Sequence, residues 1–90
     1  MATPEHVWIR GNAKEVTVTH EASLDGLDTM LAPVLGRLRM LMQSGDMLGT
    51  MNYLHDGAYH LHCHLGLTLD SVTVSRIEGE INVSAVFEAS

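Results

Sequence analysis

The sequence predicts an α+β fold: an N-terminal β-hairpin, one long helix kinked or split by a proline, and an antiparallel meander of about four strands with the helix on one sheet face. Three observations carry that expectation. Apolar residues recur at three- and four-residue steps over 24–41. They alternate with other residues over 59–69 and over 81–87, and glycine-containing turn signals bound these runs. Ninety residues suffice for one domain, 1–90. A chain of this size buries only roughly 60–65% of its unfolded surface, so the core is thin and a partner that covers apolar surface adds stability.

The first element is the pair of β-prone runs 7–10 and 15–20 in HVWIRGNAKEVTVTH, where Gly11-Asn12 can supply the positive φ angles of a two-residue turn. Pairing about that turn sets Val7 opposite Val16 and Ile9 opposite Lys14. The helix is SLDGLDTMLAPVLGRLRMLMQSG. Ser23 is its expected N-cap, Asp25 and Asp28 suit the positive end of the dipole, Arg37 and Arg39 lie toward the negative end, and Gly45 is the expected stop. Leu24, Leu27, Leu31, Val34, Leu38 and Leu41 form the apolar stripe, which Met30, Leu35, Met40 and Met42 widen. Pro33 removes one hydrogen bond inside it. The flexible thioethers suit either a gap-filled core or a partner-facing surface.

After Gly45 the pattern reads as period two. Asp56-Gly57 is a hairpin signal that sets Leu54 opposite Tyr59, Asn52 opposite Leu61, Thr50 opposite Cys63 and Leu48 opposite Leu65. One face of the second strand is then Tyr59, Leu61, Cys63, Leu65, Leu67 and Leu69. The other is His60, His62, His64, Gly66, Thr68 and Asp70. Two more strands, 72–77 and 81–87, turn at Gly79, with Ile81, Val83, Ala85 and Phe87 on one face. On this reading the helix covers one side of the sheet, and the histidine side is left to water or a partner.

Five basic residues stand against eleven acidic ones, a net charge of −6, and aromatics are 4% of the chain. A basic stripe and stacking platforms are both missing, which argues against nucleic acid and against adsorption to an anionic membrane. Cys63 is the sole cysteine, so no internal disulfide forms. Its expected role is that of a small buried hydrophobe. No charged start precedes an apolar run and no apolar stretch approaches ~20 residues, so the chain is expected to be soluble, and intracellular or part of a particle.

YHLHCHLGL (59–67) holds three of the six histidines. On a strand, alternate residues lie ~6.6–6.8 Å apart at Cα. His60 and His62 could then share a transition metal such as zinc, whereas His64, about 13 Å from His60, could not. A first-row metal needs three or four ligands, so a third must come from His6, His20, His55, a carboxylate such as Asp56 or Asp70, or another subunit. Two other readings stay open. The three imidazoles can line a solvated or interface face, or the six histidines can act as a proton switch that moves the net charge from −6 toward zero in acid. For catalysis the motifs are missing: Cys63 and its neighbours His62 and His64 point to opposite faces of a strand, and the chain has no Gly-x-Ser-x-Gly, phosphate-cradling glycine loop or metalloprotease helix motif.

Two short stretches resemble known families. YLHDGAYHLHCHLGL is similar to the strand pair of plant-and-prokaryote-conserved (PPC) domains, in which a histidine-x-histidine strand follows an Asp-Gly turn. That resemblance covers some fifteen residues, with SRIEGE standing where the family has Gly-Gly-His. It implies a trimeric α+β domain with histidines at a metal or ligand site. IRGNAKEVT, followed by a helix with LGRL, resembles the opening of ribosome hibernation factors, which are basic proteins that bind ribosomal RNA; this chain is acidic.

The expected function is that of a non-enzymatic assembly subunit that self-associates into a symmetric oligomer or particle, such as a virion, tail or scaffold component. It would associate through the second sheet face, the sheet edges or the Met-rich helix, with His64, Met51, Tyr53, Met40 and Met42 as interface residues. The alternative is a metal- or small-ligand-binding oligomer built on the His-x-His-x-His segment.

Overall fold

The computed structural model describes residues 4–89. Its elements are β1 (Glu5–Asn12), β2 (Val16–His20), α1 (Leu27–Gln43), α2 (Met47–Leu65), β3 (Leu67–Ile77) and β4 (Glu80–Ala89). The strands make one antiparallel sheet in the order β2-β1-β4-β3, so the N- and C-terminal hairpins meet along β1 and β4 at its centre. The helices share one sheet face, α1 against β2 and β4, and α2 against β3. The α+β class, the first hairpin, the proline-containing helix and the last hairpin are as the sequence implies. Segment 47–65 is different: it is a second helix, not a pair of strands.

The first hairpin turns through four residues, 12–15, rather than through Gly11-Asn12. The Asn12 Oδ1 accepts from the N–H groups of Lys14 (3.0 Å) and Glu15 (2.9 Å), while the Asn12 N–H donates to the Glu15 carbonyl (2.8 Å). Such a side-chain turn replaces the tighter one. The register becomes Val7↔His20 and Ile9↔Val18, which removes the poor match of Ile9 with Lys14. Gly11 has φ 150°, and a Cβ there would collide with the Glu15 and Val16 backbone.

α1 starts at Leu27, not after Ser23. Gly26, in the left-handed region at φ 79°, occupies the N-cap without a side-chain hydrogen bond. The helix continues through Pro33, which is exposed, and buries Leu27, Leu31, Leu38 and Met42. It stops where expected. Gly45 adopts φ 78°, its N–H donates to the Met42 carbonyl, and the Asp46 N–H reaches back to Leu41, both at 3.1 Å. These are the paired bonds of a Schellman ending.

Asp46 then opens α2. Its carboxylate accepts from the Gly49 N–H at 2.8 Å, the N-cap bond that a free helix start needs. A Cβ on Gly49 would run into that carboxylate. Thr50 is fully buried, and its hydroxyl donates to the Asp46 carbonyl at 2.7 Å. The buried residues Thr50, Leu54, Ala58 and Leu61 recur at three- and four-residue steps. Gly57 keeps an ordinary helical φ, and Gly66, at φ 70°, ends the helix.

β3 and β4 pair along their length about Glu78 and Gly79, both at positive φ (52° and 82°), as a two-residue primed turn requires. A bulge at Asp70 shifts the register between Leu69 and Ser71. The extra residue keeps Leu67, Leu69, Val72 and Val74 all opposite the helix-facing residues of β4. Ile81, Val83, Ala85 and Phe87 point into the core as the sequence implies, against Leu31, Leu38, Leu54, Leu61 and Leu67. Among the described residues no helix is long and apolar enough to cross a membrane.

The helical state of 47–65 has a direct test. A Cβ at Gly57 meets nothing, so Gly57→Ala is expected to stabilise the protein by roughly 0.5–1 kcal/mol in urea unfolding. Were Asp56-Gly57 a hairpin turn, the same change would destabilise. Asp46→Ala is expected to cost about 1 kcal/mol.

Candidate interaction surface

The residues singled out in the sequence concentrate on α2, and the helix redistributes them. Successive residues turn by about 100°, so His60 and His62 lie on different sides of α2 and cannot share a ligand within one chain. The pairing of His60 with His62 rested on strand alternation and goes with it. His60 and His64, too far apart on a strand, come together instead: their ring centroids are 4.3 Å apart, with planes inclined by 47°. The four histidines of α2 therefore fall in two rows. His60 and His64 form one; His55 and His62 lie in the other, together with Leu48 and Tyr59.

Leu48 is 71% exposed and Tyr59 75%. With His55 and His62 they span roughly 60° of the helix circumference, and half-buried Met51 borders them. The outer side of α2 is poor in charge. Asp56 is the one carboxylate among the 19 residues of the helix, which has no lysine or arginine, although the chain carries eleven acidic residues.

The other expected interface residues divide. Met40 is exposed on the outer side of α1, and Tyr53 is half-buried, packed against the core. Met42 is a core residue, 3% exposed, because it falls on the same stripe as Leu31 and Leu38. Cys63 is exposed rather than buried, since the helix turns it away from Leu61 and Leu65.

His6 and His20, named as candidate third ligands, lie on the sheet and have partners of their own. The His6 Nδ1 is 3.2 Å from the Glu21 carboxylate and its Nε2 is 3.6 Å from that of Glu88. The His20 Nδ1 is 3.0 Å from the Ala22 carbonyl and its Nε2 is 3.4 Å from Asp28. Among the described residues no three His, Cys, Asp or Glu side chains converge as a metal site.

The helix-free sheet face holds a feature that sequence reasoning missed. His6 stacks on Trp8, with centroids 5.6 Å apart and planes at 24°, and the Arg10 guanidinium lies 5.6 Å from the Trp8 ring. Alternation along β1 was the available signal, because His6, Trp8 and Arg10 must share the face opposite Val7 and Ile9. Around them the face is largely hydroxyl and amide: Thr17, Thr19, Ser84, Asn82, Thr73 and Ser75. The α2 surface had a signal too. Asp46, the three- and four-residue steps of Met47, Thr50, Leu54, Ala58, Leu61 and Leu65, and Gly66 mark a capped helix.

No family model, curated protein or solved structure matches the chain.

Cys63 reports on this geometry. In native protein diluted to the single chain it is expected to react with a disulfide reagent at a rate close to that of the unfolded chain. Strong protection in the single chain would contradict its exposed place on α2.

Proposed function

We propose that the chain is a non-catalytic subunit that assembles with copies of itself, and that two copies meet through the outer side of α2. The observation that carries this reading is the row of Leu48 and Tyr59, large apolar groups left in water on a helix with one carboxylate and no lysine or arginine. Covering a leucine side chain is worth about 1.5–3 kcal/mol. A molecule of net charge −6 repels its own copies over most approaches. An approach through α2 brings together one carboxylate of that helix from each copy, Asp56.

The row also suits a two-fold arrangement. It is nearly symmetric about His55, with Leu48 and His62 each seven residues away and Met51 and Tyr59 four. Antiparallel helices would set Leu48 of one copy against His62 of the other, with opposed helix dipoles. A symmetric oligomer, or a larger particle in which this contact is one of several, is the setting such a subunit fits.

Light scattering tests the proposal. The wild-type protein is expected to have the mass of a dimer or a multiple of it. Leu48→Glu and Tyr59→Glu, both at exposed helical positions, are expected to lower that mass with an unchanged far-ultraviolet spectrum. A wild-type monomer, or variants that keep the wild-type mass, would refute it.

A further inference from the structure

The geometry points to a second, independent site on α2: His60 and His64 form a two-point chelate for a first-row divalent ion such as zinc or nickel. Residues four apart on a helix stand one above the other on the same side, and this spacing is how helical metalloprotein motifs present two imidazoles to one ion. Here the rings already lie with centroids 4.3 Å apart, close enough for small side-chain rotations to aim one nitrogen of each at a common ion with bonds of ~2.0–2.1 Å.

Three further observations suit the pair to holding an ion. Both residues are exposed, so an ion keeps water in its remaining positions at little desolvation cost. Polar contacts of histidine rings within the described residues belong to His6 and His20, which leaves the imidazole nitrogens of His60 and His64 available. His64 also lies in the last turn of α2, where unsatisfied carbonyls place partial negative charge that favours a cation. No third side chain among the described residues closes the shell, so the site is open to water or to a donor from another molecule.

The site does not depend on self-association, because Leu48 and Tyr59 lie on a different row of the helix. Its ligands differ from the alternating pair that a strand would have offered: His64 replaces His62.

Calorimetric titration of the full chain with zinc and with nickel tests the assignment, in a Cys63→Ser background so that the exposed thiol takes no part. Loss of an outer-shell partner alone lowers metal affinity by ~10–100-fold, so His60→Gln and His64→Gln are each expected to weaken binding at least about tenfold. His55→Gln and His62→Gln are expected to leave it unchanged. Saturating zinc is expected to raise the melting temperature of the background protein and of the two control variants, but not of His60→Gln or His64→Gln. No measurable binding, or binding lost equally on substitution of His55 or His62, would overturn the proposal. Because the reporter is metal affinity and the test of self-association is mass, each reading can fail without the other.

Discussion

The joint at Gly45 and Asp46 is the constraint on which the rest of the molecule depends. Gly45 closes α1 by giving its N–H to Met42 from a left-handed conformation, and Asp46 completes that ending through Leu41. The carboxylate of the same Asp46 accepts from the free Gly49 N–H in the first turn of α2. One residue thus serves the C-terminus of one helix and the N-terminus of the next, so the chain reverses almost without a loop. The resulting helix pair carries the chain across the sheet, from β2 at one edge to β3 at the other. The two hairpins can then meet in the middle, and β1 pairs with β4. Gly49 belongs to the same joint, because a larger residue would displace the capping carboxylate.

With the helices on one side, the molecule has two faces of different chemistry. The helix-free sheet face is mostly hydroxyl and amide, with Trp8 held between His6 and Arg10. His6 also bridges Glu21 on the chain beyond β2 and Glu88 on β4, tying three segments together. The helical side exposes Leu48, Tyr59 and Met40 and carries four of the six histidines. Within that side α2 has one carboxylate, Asp56, in a chain that carries eleven acidic residues, and the proposed contact between copies rests on that helix. The β3 edge is a weaker candidate, since the Asp70 bulge interrupts its pairing pattern and Asp70 adds charge.

Much of the fold was legible because local and tertiary demands agreed. In β4 every second residue is apolar, and the strand lies at the centre of the sheet with one face on the helices, so alternation and burial coincide. In α1 the leucine stripe and Gly45 had one consistent reading, and Pro33 was tolerated because it falls on the solvent side. The sequence implies the first hairpin but not its loop: the side chain of Asn12 closes the turn beside a Gly11 that admits no Cβ, and the register moves by an even number of residues. That even shift left the inward faces of β1 and β2 intact.

Segment 47–65 contains two periods at once. Over the six residues HLHCHL the apolar positions alternate, and Asp56-Gly57 has the composition of a turn. Over all nineteen residues the buried positions follow three- and four-residue steps. The sequence by itself determined the α+β class, the C-terminal hairpin, the proline-containing helix and the identity of the histidine-rich segment. The tertiary structure decided which period that segment obeys, and so which histidines are neighbours. Asp46 and Gly66 cap a helix there, and a helix buries Thr50, Leu54, Ala58 and Leu61 together against the sheet, whereas a strand would place Leu61 and Cys63 on the same face and bury the thiol instead of leaving it in water.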